Sequence, residues 1–183
     1  IVDRITFGRQ LSTHTLGRLP ANPNIWALGT PTPNNLNRSA LVASTTEARF
    51  NEGYVAAGVA YQEDFIELAN AAPLPIDISE LAIKSSQTYR LPAHSFLGAD
   101  DFYRLTSDDL GFGLDPWFGM ASLQLPSTGE LVDQIFWQGE HSEASTGRIP
   151  NATGVAIALM RPSPGQSNAN SVRDPLIDLR ISE

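Results

Sequence analysis

Cysteine is absent from this 183-residue chain, which excludes disulfides and thiolate metal sites and leaves the redox compartment open. Histidine is scarce: His14, His94 and His141 are the three, and none stands at the H-x3-H spacing of a zinc site. Basic charge is scarce as well, with 12 Lys and Arg against 20 Asp and Glu and a formal net charge of -8. The basic residues are scattered and form no stripe that could track phosphates, so nucleic acid is not an expected partner. No apolar run approaches the roughly 18–20 residues of a membrane helix, and membrane insertion is not expected. No segment holds a 3.6-residue apolar period over the ~10–12 residues that a helix needs. An initiator Met is also missing, and a chain starting at Ile1 reads as a processed product or a piece of something longer.

What remains is a strand vocabulary. The 42% hydrophobic and 17% charged fractions suffice for a domain with a core. "IVDRITF" alternates apolar and polar residues as a half-buried strand does. "DFIELAN", "IDISELAIKS", "DFYRLTS", "MASLQLP", "ELVDQIFW" and "GVAIALMRP" read similarly, punctuated by the 14 Gly and 13 Pro. The stretch "TTEARFNEGYVAAGVAYQEDF" has room for a short helical turn, but Gly53 and Gly58 disfavour a long helix. The fold class predicted is all-β, an antiparallel sandwich.

A repeated sentence organises the chain. Val2, Asp3 and Ile5 align with Val132, Asp133 and Ile135, Phe7 with Trp137, and Ser12 with Ser142. Gly17-Arg18-Leu19-Pro20 falls on Gly147-Arg148-Ile149-Pro150. After a one-residue slip, Pro31-Thr32-Pro33 meets Pro162-Ser163-Pro164, and Asn37 meets Asn168. Each copy reads as a strand (residues 1–7 or 131–137), a polar connection, a Gly-Arg-apolar-Pro corner, a second strand and a Pro-x-Pro exit. The region from about residue 41 to 129 occurs once.

That single-copy region carries a resemblance. Asp64-Phe65-Ile66-Glu67-Leu68 with Asn70, followed by Pro75-Ile76-Asp77-Ile78-Ser79, resembles the opening strands of lamin tail domains, with Leu81 where that family often has Trp. "YRLPAHSFLGADDFYRLTSD", "LGFGLDPWFGMASLQLPSTGELVDQIFW" and "STGRIPNATG" with "MRPSPGQSN" are similar to the strand pair, meander and ending of bacterial members. The resemblance covers about residues 41–168. It implies an immunoglobulin-like β-sandwich without catalytic residues, of the kind repeated in secreted or surface proteins. On this reading residues 1–37 are the closing half of a preceding unit and 38–170 a complete one. Residues 171–183 are then a linker and the first strand of a following unit. A half-sandwich cannot bury its apolar face alone. Residues 1–37 are therefore expected to pack on their own domain, on sequence of a longer protein, or on a neighbouring copy that contributes "LIDLRISE". The last arrangement is strand complementation, and its candidate assembly residues are Ile1, Val2, Ile5, Phe7, Leu176, Ile177, Leu179 and Ile181.

Chemistry-bearing candidates are few. Asp100, Asp101, Asp108, Asp109 and Asp115 form the densest acidic group, the residue type calcium takes, but "DDLGFGLDP" lacks EF-hand spacing. Solvated turns are the plainer reading, with Asp108 and Asp109 capping a short turn or helix. Trp117 and Phe118, beside Phe112, offer either a carbohydrate-stacking face or a cover for the end of the core. His141 has Glu140, Ser142 and Glu143 beside it, yet sequence neighbours do not build a hydrolytic triad. Asn37 and Asn151 open N-x-[ST] patterns. Arg18 and Arg148 recur at one place in the repeat and are expected to satisfy carbonyls or a carboxylate such as Asp3 or Asp133. The function expected is a non-catalytic, extracellular or cell-surface assembly module without cofactor, whose partners are neighbouring copies or adjacent repeats. The alternative is a carbohydrate- or substrate-binding accessory domain of a secreted hydrolase.

Overall fold

A computed structural model describes residues 3–56, 63–138, 144–159 and 161–171, apart from the side chains of Phe118 and Gln138. Fourteen strands appear in it. An N-terminal hairpin pairs β1 (Thr15–Leu19) with β2 (Asn22–Thr30), and the short β3 (Arg38–Ser39) adds to the far side of β2. The chain then enters a two-layer sandwich. One layer has the order β10-β5-β4-β13-β14, formed by Phe102–Thr106, Phe65–Asn70, Ala48–Tyr54, Ser145–Ile149 and Val155–Leu159. The other has the order β12-β11-β7-β8, formed by Leu131–Gln138, Phe118–Gln124, Ala82–Lys84 and Thr88–Arg90. The pair β6 (Ile76–Asp77) and β9 (Phe96–Leu97) closes one end. Every ladder between named strands is antiparallel. The all-β antiparallel sandwich is therefore the fold.

Alternation puts the core between the layers, because successive side chains of a strand face opposite ways. Phe50, Ile66 and Leu68 come from one sheet, Ile83, Leu123 and Ile135 from the other, and all are buried in one cluster. Each such side chain contributes roughly 1.5–3 kcal/mol relative to exposure. The helix content is slight. Among the described residues a single α-helical turn, α1 (Ser107–Leu110), is closed by a capping box between Thr106 and Asp109 and ends on Gly111 at φ 76. The 3-10 turn Thr45–Glu47 leads directly into β4, so the stretch that had room for a helix is largely strand.

The first seven residues depart from expectation. Residues 3–14 hold no strand, whereas their counterpart in the repeated sentence is the long β12. β12 is held by its ladder to β11, and among the described residues no strand pairs with residues 3–7. A strand without a ladder leaves its N–H and C=O groups to water. Residues 8–10 dock on the sandwich instead. Gly8 N donates to Ala93 O (3.0 Å), Phe96 N donates to Arg9 O (2.9 Å), and Arg9 pairs with Asp101 at 2.7 Å.

One aromatic fixes the end of the core. Trp137 is buried and donates its indole Nε1 to Asp115 O at 2.8 Å. It lies where a Cβ on Gly119, its cross-strand neighbour, would fall 1.9 Å from the ring. Gly119→Ala is accordingly expected to destabilise the fold by about 3 kcal/mol through overpacking. Urea denaturation monitored by far-UV circular dichroism would show the midpoint falling; an unchanged midpoint would mean that the indole is free to move aside.

Candidate functional site

The two layers are tied by Arg148 on β13. Its Nη2 meets Asp133 of β12 at 2.9 Å, its Nε donates to Phe50 O of β4 at 2.8 Å, and its Nη1 donates to Gly154 O at 2.9 Å. Asp133 accepts the Phe50 N–H with its other oxygen at 2.8 Å. Together this arginine and this aspartate take both backbone groups of one residue, as a neighbouring strand would. Asn168 completes the clamp. Its Nδ2 donates to Arg148 O and to Asn51 O, both at 3.0 Å. A Cβ on Gly147 would lie 2.6 Å from that nitrogen, which is why glycine stands there.

Beneath the clamp lie two carboxyls that sequence reading overlooked. Glu52 on β4 and Glu67 on β5 are both fully buried. Glu52 accepts hydrogen bonds from Ser145 Oγ, Ser163 Oγ and Ser163 N; Glu67 accepts from Gly165 N and from Asn51 Nδ2. These bonds fasten the 163–168 loop to the sheet. Burial pushes Glu52 above the ordinary carboxyl range and Glu67 up to about 7, against the lowering effect of the hydrogen bonds. The bonds come from the protein's own loop and strands, so the pair fastens the loop to the sheet. The ladder between β4 and β5 shifts register between Phe50 and Glu52, a bulge that places both Asn51 and Glu52 inside.

The N-terminal hairpin holds the same set of bonds with one side open. Arg18 Nη2 meets Asp3 at 2.8 Å, and Nη1 donates to Pro23 O. Asn37 Nδ2 donates to Arg18 O at 2.9 Å, and a Cβ on Gly17 would lie 2.8 Å from that nitrogen. Thr32 Oγ1 reaches Asn37 Oδ1 at 3.4 Å as Ser163 Oγ reaches Asn168 Oδ1 at 2.8 Å. The turns that follow match too: Asn35 N donates to Thr32 O and Gln166 N to Ser163 O, around Asn34 at φ 60 and Gly165 at φ 72. What differs is the neighbour. β13 pairs with β14 on one side and β4 on the other, whereas among the described residues β1 pairs with β2 alone. The Arg148 and Asp133 side chains are 16% and 13% exposed, those of Arg18 and Asp3 35% and 58%. Asn168 is buried and Asn37 is exposed.

The expectation that Arg18 and Arg148 satisfy carbonyls or a carboxylate thus describes both arginines. Of the assembly residues nominated from sequence, Ile5 is half-buried and Phe7 is 56% exposed. Ile1, Val2, Leu176, Ile177, Leu179 and Ile181 lie outside the described residues, as does His141. The five aspartates are dispersed among separate tasks. Asp101 pairs with Arg9, Asp109 belongs to the capping box, Asp108 sits in the first turn of α1, Asp100 occupies a turn at φ 54, and the Asp115 carboxylate accepts from Trp117 N. Among the described residues no three His, Asp or Glu side chains are grouped so that they could hold a metal ion. Trp117 is 73% exposed and does not cover the core, a part taken by Phe112 and Trp137. His14 and His94 are half-buried in separate loops. Compared with known proteins, the chain matches no family model, and neither a curated protein nor a solved structure matches it significantly.

The buried carboxyls set a pH dependence. In the unfolded chain Glu67 releases its proton near 4.5, in the folded chain near 7. The folded state therefore holds more protons between these values, and stability falls as pH rises through that window. The expected loss is at most about 3 kcal/mol between pH 4.5 and 8. Urea midpoints should be higher at pH 5 than at pH 8, and Glu67→Gln should flatten most of the slope. A midpoint that rises with pH would contradict this assignment.

Proposed function

We propose that the chain is a non-catalytic structural module that joins neighbouring units by β-strand addition at the open edge of β1. Residues 3–39 act as the closing half of a unit whose opening strand comes from elsewhere. The observation carrying this reading is the Asp3–Arg18–Asn37 clamp. It has the bonds of the Asp133–Arg148–Asn168 clamp, but among the described residues the position occupied there by β4 has no counterpart beside β1. Exposed apolar side chains occur elsewhere on the same small sheet: Ile25 lies on β2, and Leu36, Leu41 and Val42 flank β3. An unpaired edge on a sheet with apolar surface is a template for another chain.

Residues 38–170 make up the complete unit of this reading, and residues 171–183 lead to the next. The immunoglobulin-like, lamin-tail character, the repeat organisation and an extracellular or surface location rest on the sequence resemblance. The partners are further copies or adjacent repeats. The net charge of -8 makes a nucleic-acid partner unfavourable.

A second reading has one observation in its favour. Trp117 presents its ring to solvent at the end of the sandwich, as a sugar-stacking residue does. An accessory domain that holds polysaccharide through Trp117 would show quenching or a blue shift of tryptophan fluorescence with oligosaccharides, lost in Trp117→Ala.

Light scattering behind size exclusion separates the two. The assembly reading expects particles heavier than 19.8 kDa whose mass grows with concentration. Arg18→Ala, which removes a charge-assisted partner of the added strand, should raise the dissociation constant roughly tenfold or more. A 19.8-kDa monomer at every concentration, indifferent to Arg18→Ala, would sink the assembly reading.

A further inference from the structure

Which strand fits the open edge can be read from the closed one. In the sandwich the clamp holds Arg49-Phe50-Asn51-Glu52, with Phe50 gripped through its backbone by Asp133 and Arg148. Asn51 O is held by Asn168, and the Glu52 carboxylate is held by Ser145 and Ser163. The chain contains one other segment of this pattern, Arg180-Ile181-Ser182-Glu183. Asn37 precedes Arg49 by 12 residues, and Asn168 precedes Arg180 by the same 12. Glu47 and Asp178 also correspond.

The receiving side keeps the matching donors. Thr15 stands where Ser145 does, opposite the far end of its hairpin partner, and Thr32 stands where Ser163 does. Both retain a hydroxyl; in the hairpin that of Thr15 donates to Gly29 O and Thr30 O and that of Thr32 to Asn37 Oδ1, all at 3.4 Å, long bonds that an added carboxylate would replace. In the sandwich those groups surround Glu52, and no acidic side chain faces them on the hairpin among the described residues.

We infer that residues 179–183 of a second copy of this chain seat beside β1 and complete the half-unit. Asp3 and Arg18 grip the backbone of Ile181, Asn37 takes Ser182 O, and Thr15 and Thr32 take the Glu183 carboxylate. This rests on the assembly reading above and names its occupant. A second copy is preferred to the chain's own end because of the connections. Residues 37–49 lead from a closed hairpin into the next body, not back to β1. Residues 168–180 repeat that 12-residue spacing in the sequence, so on this reading Arg180 opens a following unit as Arg49 opens its own. The half-unit and the strand then lie at opposite ends, and the contact is heterologous and head-to-tail. The backbone grip accepts any sequence, while the carboxylate pocket demands Glu. A buried carboxylate with three charge-assisted bonds carries most of the selectivity.

The experiment uses the full chain and two variants, Asn37→Ala and a deletion of residues 176–183, read by light scattering and by circular dichroism for folding. Each variant alone should be folded and arrested at the mass of one chain, and a mixture of the two should form dimers and nothing longer. Free Leu-Ile-Asp-Leu-Arg-Ile-Ser-Glu peptide should dissociate the wild-type assembly, and the same peptide with Glu183→Gln should do so at least tenfold less well. Assembly that survives the deletion but not Asn37→Ala would overturn this occupant while leaving the edge in use. A wild-type monomer that the deletion destabilises, independently of concentration, would mean that the chain's own end fills the edge. A wild-type monomer unaffected by either change would remove the assembly reading together with this one.

Discussion

The sandwich depends on a guanidinium placed between its layers. Arg148 is on one sheet and Asp133 on the other, and the backbone of Phe50 lies between them. Two sheets packed by apolar side chains alone can slide, because hydrophobic contact has no direction. A planar fork with fixed donor positions removes that freedom. The ion pair is largely covered by protein, so its desolvation cost is offset by additional bonds to Phe50, Gly154 and Gln134. Loss of either partner would leave the other charge in a poor environment. The same reasoning explains why the hairpin copy can hold its own ion pair in the open: with more of Arg18 and Asp3 in water, the pair costs less to form and contributes less.

The buried Glu52 and Glu67 serve the same end by another route. They gather the 163–168 loop, which follows the last strand of the sandwich, and hold it against β4 and β5. Backbone N–H groups of a loop that crosses the end of a sheet need acceptors. Carboxyls supply two oxygens each at the cost of desolvation, visible in the raised protonation range of both. Asn51 and Asn168 bridge the two carboxyls to the clamp, so loop, strands and ion pair form one connected polar network inside an otherwise apolar body.

Much of the sandwich was legible in the sequence, and the failures have physical causes. The runs containing β5, β10, β11 and β12 are rich in apolar strand formers bounded by turn residues, and they are strands. "IVDRITF" alternates, yet residues 3–7 form no strand, because alternation records which face a strand would bury and says nothing about whether a ladder partner exists. Glu52 and Glu67 escaped notice because a Glu within an alternating run reads as a solvent-facing position. Here the bulge at Asn51 breaks the period, and 0% exposure follows for Asn51 and Glu52 alike. The glycine, arginine and asparagine of the clamp were visible as repeated letters. Their shared geometry was not, since Arg148 touches residues 98 positions away in the chain. The acidic cluster and Trp117 illustrate the converse: residues close in sequence that the fold disperses or leaves alone in solvent.

The docking of residues 8–10 on the sandwich has a geometric consequence. Two backbone bonds, to Ala93 and from Phe96, and the Arg9–Asp101 pair fix the angle between the hairpin and the body that follows it. Any structure built by repeating one fixed rotation and one fixed advance is a helix, straight only when the rotation vanishes. Further bonds strengthen the joint, from Gln10 Nε2 to His94 O and from Ala43 N to Pro75 O. If the hairpin belongs to one unit and the body to the next, the contacts of this joint determine pitch and handedness, and a thread of such units would be as rigid as that joint.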